Sequence, residues 1–377
     1  MKRRFAGLEL LRFLAAAAVL IWHYQHFFYD VPAGDPTRYD VEGQPLYPLL
    51  ALAYRHGTFA VQLFWAISGF IFFFRYGEAI HQRRVGLRQY LVFRFSRLYP
   101  LHLLTLVAVA LLQPAFARGS GGRPFVYAYN DAKHFALNVL MISQWGLQQG
   151  LSFNGPVWSV SVEEFCYLAF FFIASGLAMS RRNLAALFMA AWVLLVTHPL
   201  APEFGECLAL FLAGGALWGA HRWVGEGSAG RRRTSLAALV ASTAALAAGW
   251  SSYPALHPVA QVTATHLLLI PTILGWFLAL SPRDGSRAGR LCGELGKLTY
   301  STYMIHFPLQ LAAVTCLDAL GLSRGIFYSA VALLLFVSTV LAAGYGLFTW
   351  FEMPMQAYLR ARLLPADAAP AGVRRAR

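Results

Sequence analysis

Charge is what this sequence has least of. Asp, Glu, Lys and Arg make up 13% of its 377 residues and the apolar set AVILMFWYC makes up 58%, whereas a soluble domain carries roughly 25% charged residues. So few charges cannot clothe a water-facing surface of this size, and the mean hydropathy is +0.51. Disorder, a coiled coil and a soluble enzyme are excluded. Cysteine is scarce too. Cys166, Cys207, Cys292 and Cys316 form no C-x-x-C pair, which argues against both a disulfide scaffold and a metal centre. The glycine-rich stretch 118–124 is not followed by Gly-Lys-Ser/Thr, so it is a flexible link and not a phosphate-binding loop.

What the chain does have is long apolar runs. A bilayer core needs about 20 predominantly apolar residues per helix, and ten segments qualify: 6–28, 57–74, 98–117, 157–178, 184–200, 205–221, 235–251, 262–280, 299–317 and 327–350. The expected fold is therefore all-α, a polytopic bundle of about ten spans. The first run is not a cleaved signal, because it carries Glu9 and Arg12 and lacks a small-residue cleavage pattern. A further apolar piece at 135–145 is too short to cross and reads as re-entrant or interfacial. The Arg- and aromatic-rich stretch 83–97 reads as a helix lying in the inner interface. Residues 29–56, with Asp30, Asp35, Asp40 and Glu42, read as a structured acidic loop, and 357–377 as a short, basic, disordered cytoplasmic tail.

The formal charge of +14, from 31 Lys and Arg against 17 Asp and Glu, resembles a nucleic-acid footprint until its distribution is considered. With the N-terminus inside, ten spans place Lys2, Arg3 and Arg4, the arginines of 75–97, Arg181 and Arg182, Arg231–Arg233, the basic residues of 283–297 and the tail arginines on one side. Cytoplasmic loops retain Lys and Arg, so both termini are cytoplasmic, and the partners are lipids and not nucleic acid. The expected location is the plasma (inner) membrane.

Ionisable residues inside spans are costly and mark function by default. Arg12 and His23 are eleven residues apart, which on an α-helix returns them to one face about 16 Å apart along the axis. The alternative pairs Arg12 with Glu9 at i,i+3 and leaves His23 in the Trp22–Tyr24 aromatic belt. Span four opens Asn154-Gly-Pro-Val-Trp158-Ser159-Val-Ser-Val-Glu163-Glu164, and this reading puts Glu163 near the depth of His23, where a carboxylate raises an imidazole's basicity. Ser68-Gly69-Phe70 in span two and Gly215-x-x-x-Gly219 in span six fit simple helix packing. His306 is as compatible with a satisfied core histidine as with a functional one. His26, His198, His257 and His266 read as interfacial or packing residues.

Taken in order, Arg12-x10-His23, Val61-Gln-Leu-Phe-Trp-Ala-Ile-Ser68-Gly69-Phe70, Arg94-Phe-Ser-Arg97-Leu-Tyr-Pro100, Asn154-x-Pro-Val-Trp158-Ser159-x-x-x-Glu163, Tyr300-Ser-Thr-Tyr303-Met-Ile-His306-x-Pro308 and Phe351-Glu352-x-Pro354 resemble the acyltransferase-3 family of membrane O-acyltransferases. The resemblance covers residues 5–356, with 1–356 as the transmembrane acyltransferase domain. It implies transfer of an acyl group, usually acetyl, from cytoplasmic acyl-coenzyme A to a hydroxyl of an extracytoplasmic glycan or lipid-linked sugar of the cell envelope. It also implies that His23 is the catalytic histidine and Glu163 its partner, and that Arg12, Arg94 and Arg97 contact the coenzyme. Ser68, Trp158, Ser159, Tyr303 and His306 are the candidate substrate contacts. The sequence departs from the family pattern at Gln62, often acidic, and at Phe165-Cys166. A thioester donor calls for no metal, only a base for the hydroxyl and a donor for the oxyanion. Whether His23 deprotonates the acceptor or first forms an acyl-imidazole is open at this stage. The competing reading is a flippase or transporter of a lipid-linked sugar with His23 and Glu163 as a proton relay. It lacks the paired broken helices of inverted-repeat transporters.

Overall fold

A computed structural model describes residues 5–29, 40–198, 202–283 and 285–365. Lys2, Arg3 and Arg4, the 30–39 part of the acidic loop and the tail arginines beyond residue 365 lie outside the described residues. Every element among those described is helical: α1 (Ala6–His23), α2 (Tyr47–His56), α3 (Phe59–Phe72), α4 (Glu78–His81), α5 (Leu87–Gly119), α6 (Ala132–Val139), α7 (Trp158–Gly176), α8 (Arg181–Thr197), α9 (Pro202–Gly225), α10 (Ala229–Gly249), α11 (Pro258–Ala264), α12 (Ile270–Ala279), α13 (Arg287–Ala319), α14 (Ala330–Leu347) and α15 (Met353–Leu363).

Local chemistry sets several of the boundaries. Asp131 caps α6 by accepting from the His134 N–H at 3.0 Å, and Ser180 and Ser329 cap α8 and α14 in the same way. Three π-turns, Phe73–Gly77, Thr265–Leu269 and Phe348–Glu352, join α3 to α4, α11 to α12 and α14 to α15. Each widens one turn without breaking the helix. Seven of the resulting helices are long and apolar enough to cross a membrane, judged by length and composition among the described residues: 6–28, 59–81, 87–119, 155–176, 229–255, 258–279 and 330–363. The other three expected spans are helical as well. Of these α8 has only 17 residues, while α9 and α13 are longer but carry ionisable residues along their length.

Three expectations require correction. Residues 87–97 are not a separate interfacial helix but the first turns of the 33-residue α5, which continues through Pro100 and Pro114. The turn before α5 has Arg83 at φ 55° and Gly86 at the N-cap. The acidic loop contains a helix, α2, held by Tyr54 Oη donating to the Pro45 carbonyl at 2.9 Å. The first residues of the tail, through Leu363, are helical in α15, where Arg360 Nε donates to Ser96 Oγ at 2.9 Å and Arg88 reaches the Leu363 carbonyl.

The chain divides into two compact units, residues 1–15, 59–85 and 162–296 in the first and 16–58, 86–161 and 297–377 in the second. In the first, α3 and α9 meet backbone to backbone. A Cβ built on Gly69 would fall 1.8 Å from the Phe211 carbonyl oxygen, and one on Gly214 would fall 1.9 Å from that of Ala66. Without a hydrophobic force between helices in lipid, such close approach is what associates them. Phe72 stacks on Tyr167 at 4.3 Å beside this contact. In the second unit an aromatic core holds Tyr24, Phe27, Phe125, Phe307, Phe327 and Phe336. Phe27 and Phe327 stack at 3.8 Å, and Tyr24 Oη donates to the Phe327 carbonyl at 2.9 Å.

The α3–α9 contact predicts that Gly69→Val forces the two helices apart and destabilises the protein by about 1–3 kcal/mol, the usual range for overpacking. Gly176→Ala, where a Cβ meets nothing within 4 Å, is expected to leave the detergent-solubilised melting temperature unchanged. Equal melting temperatures for the two variants would refute the contact.

Candidate active site

Helix α1 ends at His23, and a 3₁₀ turn over Tyr24–Phe28 follows. The tighter winding brings His26 back beside His23, with ring centroids 5.0 Å apart. From α13, His306 approaches the other side of His23 at 4.8 Å. All three imidazoles are buried, at 6%, 2% and 1% exposure for His23, His26 and His306.

Hydrogen bonds set their tautomers. The His23 Nδ1 lies 3.0 Å from the Val19 carbonyl, and the His306 Nδ1 lies 2.6 Å from the Tyr303 carbonyl. A carbonyl only accepts, so each Nδ1 carries the proton and each Nε2 presents a lone pair. Gln310, fully buried on α13, donates Nε2–H to the His23 carbonyl at 2.8 Å and so ties α13 to the last turn of α1. Its Oε1 then faces the His26 Nδ1 at 3.4 Å and gives His26 the same tautomer.

One helical turn back along α13, Tyr303 stands with its ring 5.8 Å from His306. Its hydroxyl donates to the Pro156 carbonyl and lies 2.9 Å from Ser159 Oγ. Asn154 Nδ2 donates to the Met304 carbonyl at 3.0 Å, tying the turn before α7 to the same stretch of α13. Five residues thus run in sequence: Ser159, Tyr303, His306, His23, His26. Trp158 is the first residue of α7, next to Ser159.

At the other end of this stretch of α13 the second unit buries a charge pair. Arg97 is ion-paired with Glu352, which is only 2% exposed, and Ser301 Oγ donates to Glu352 Oε2 at 2.6 Å. The Arg97 guanidinium also lies 5.5 Å from the Tyr300 ring. Arg97, expected to meet the coenzyme, therefore carries its own counter-ion. Arg94, one turn earlier on α5, is partly buried.

Three expected site residues belong to the first unit. Arg12 Nη1 lies 3.1 Å from Glu9 Oε2, so the i,i+3 pairing is formed, with both side chains about a quarter exposed. Glu163 is partly buried on α7. Ser68 precedes the tightly packed Gly69. Gln62, where the family is often acidic, is hydrogen-bonded to Glu206, which supplies a carboxylate from α9 instead.

A cavity of about 420 Å³ in the second unit, lined among others by Gln113, Tyr129, Asn130, Asp131 and Phe153, is a weaker site. Gln113 is spent on both backbone groups of Phe125, and Asn130 on those of Tyr127 and Phe153. The Asp131 carboxyl is held below its usual range by the His134 backbone N–H and then by the His134 ring.

Reading the sequence alone missed His26, assigned to packing, and Gln310, not considered at all. Both had a spacing signal: His23 and His26 are i,i+3, and His306 and Gln310 are i,i+4, so each pair shares a helix face.

Among the described residues, an all-helical fold with several membrane-length helices defines a multi-pass membrane protein, and a buried histidine cluster lies within it. The sequence profile of the acyltransferase-3 family, described as an acyltransferase domain, matches residues 5–347. The chain belongs to that family and is a multi-pass membrane acyltransferase. No curated protein and no solved structure gives a significant match.

The Arg97–Glu352 pair generates its own prediction. Removing one member of a buried pair typically costs about 3–5 kcal/mol, with less expected here because Arg97 is 22% exposed. Glu352→Ala should lower the melting temperature in detergent, and Arg97→Met with Glu352→Leu should recover most of the loss. A double variant no more stable than the single one would show that the pair is not what holds this end of α13.

Proposed function

We propose that the protein is an O-acyltransferase that moves an acyl group, acetyl in the first instance, from cytoplasmic acyl-coenzyme A to a hydroxyl of an extracytoplasmic or lipid-linked carbohydrate. The observation that carries this reading is the state of His23, which is buried, with its Nδ1 proton committed to the Val19 carbonyl and Nε2 left as the base. Membership of the acyltransferase-3 family supports the reaction class. The charge asymmetry of the loops supports an orientation with both termini inside, which puts the donor on the cytoplasmic side and the His23 end of α1 toward the acceptor.

In this scheme the acceptor hydroxyl passes its proton to His23 Nε2 as its oxygen attacks the thioester carbonyl carbon. The carbonyl electron pair moves onto oxygen and returns as the C–S bond breaks. The leaving thiolate takes the proton back from His23, so protons and electrons balance without a further reactant. Ser159, whose Oγ lies 2.9 Å from the Tyr303 hydroxyl, is a hydroxyl donor suited to the oxyanion or the acceptor. Tyr303, with its own proton on the Pro156 carbonyl, is assigned to contact the acceptor, and Trp158 offers a face to a sugar ring. Ser68 is a second hydroxyl contact. Glu163 is assigned to raise the basicity of the site, and Arg12 and Arg94 to the coenzyme's phosphates. Arg97 keeps its segment in place through Glu352.

Everted membrane vesicles incubated with radiolabelled acetyl-coenzyme A test the proposal, comparing wild type, His23→Ala and a vector control at matched expression. Label is expected in glycan or lipid-linked sugar with wild type, and at least 10²-fold less with His23→Ala, the lower end of what a general base contributes. Equal labelling in all three would overturn the assignment.

A further inference from the structure

His306 Nε2 is buried and, among the described residues, meets no hydrogen-bond partner. Buried polar atoms without partners are few in folded proteins and need a reason. The reason here lies in what surrounds it. Its Nδ1 is occupied by the Tyr303 carbonyl, its ring is 1% exposed, and the ring is 4.8 Å from that of His23 at a 40° tilt. His23, His26 and His306 all have the Nδ1–H tautomer, so three acceptor nitrogens are gathered in one buried place with no donor among them. They are not arranged to hold a metal ion. Such a cluster gains most from the arrival of one proton.

We infer that His306 is a positioning residue for the transfer step: its Nε2 accepts a hydrogen bond from the His23 imidazolium and so shares the proton that His23 takes from the acceptor hydroxyl. The inference rests on the acyl-transfer reading above and deepens it, because it gives His306 a role in proton handling and not in contacting the acceptor. Rings about 5 Å apart are close enough for an N–H···N bond between their edges. Before the proton arrives, the His306 Nε2 lone pair has no donor among the described residues. Once His23 is protonated, the unpaired acceptor on His306 is satisfied, so the charged intermediate is stabilised more than the resting state. Sharing the proton adds no bond change to the scheme above: O–H breaks and N–H forms as the C–O bond is made, and the same proton leaves with the thiol when the C–S bond breaks.

Gln310 completes the device. By donating to the His23 carbonyl and accepting from His26 Nδ1, it holds α1's last turn against α13 and keeps His26 in the acceptor tautomer. Among the described residues, the phenols facing the cluster are Tyr303 beside His306, and Tyr29 and Tyr127 beside His26, with ring centroids 5.2–5.9 Å away.

The test uses the full-length protein in membrane vesicles, with acetyl-coenzyme A as donor, the endogenous acceptor, and pH varied. His306→Leu removes the acceptor nitrogen, and His306→Gln replaces it with an amide oxygen. For His306→Leu, kcat is expected to fall at least tenfold at unchanged KM for acetyl-coenzyme A. The acid limb of the kcat–pH profile should also move to lower pH, because His23 holds a proton less tightly without its partner. His306→Gln should recover part of both effects and also guards against a folding defect in the Leu variant, as should monodisperse elution of each variant in detergent. Gln310→Leu should lower kcat with the same unchanged KM. An unchanged kcat and pH profile in His306→Leu would overturn the inference, as would a change confined to acceptor affinity. A wild type that transfers no label would overturn the acyl-transfer reading, and this inference with it, and so is distinct from either result.

Discussion

A single backbone carbonyl at the end of α1 organises the candidate site. In a helix the last four carbonyls lack partners, and in a membrane each must be satisfied from within the protein. The His23 carbonyl, which opens the 3₁₀ turn, also accepts from the side chain of Gln310, whose other end bonds His26. That contact requires α13 to lie against the end of α1, and so brings His306, Tyr303 and, through Tyr303, Ser159 into one row. The same demand for internal hydrogen bonding commits the Nδ1 protons of His23 and His306 to carbonyls of their own helices. The chemistry therefore follows from helix-end bookkeeping: the nitrogens left over are all acceptors.

The opposite end of that stretch of α13 uses a different solution. There the buried carboxylate of Glu352 is paired with the partly exposed Arg97, and Ser301 occupies the second carboxylate oxygen. The π-turn Phe348–Glu352 shifts the register of its helix by one residue and so sets which face Glu352 occupies. Such pairs are costly to assemble and more costly to leave half-formed, which suits a contact that fixes α5, α13 and α15 relative to each other. In the first unit the cohesive element is the absence of side chains: Gly69 and Gly214 let α3 and α9 touch along their backbones.

Composition and the length of the apolar runs were sufficient for the all-helical, membrane-embedded class, because continuous runs of about 20 apolar residues fit spanning helices and not the shorter alternating strands of a barrel. The ordered motifs were sufficient for the family. Arg12, His23, Ser159, Tyr303 and His306 were each legible because ionisable or hydroxyl groups within apolar runs stand out. The ambiguity of Arg12 was also legible, since Glu9 sits at i−3, and the structure forms that pair. The extent of α5 was not, because the Arg- and aromatic-rich stretch 83–97 reads as an interfacial helix of its own, whereas the helix runs unbroken from Leu87 to Gly119.

What the sequence alone determined is which residues are expensive in a membrane, since that cost depends on side-chain chemistry and the length of the surrounding apolar run. What only the tertiary structure decided is how each cost is met: Arg97 by Glu352 across 255 positions of chain, His23's carbonyl by Gln310, and His26 drawn from apparent packing into the cluster. Hydrogen bonds and ion pairs are short-ranged and directional, so a partner on another helix leaves no periodic trace in the sequence. It becomes visible only when folding brings the two within about 3 Å.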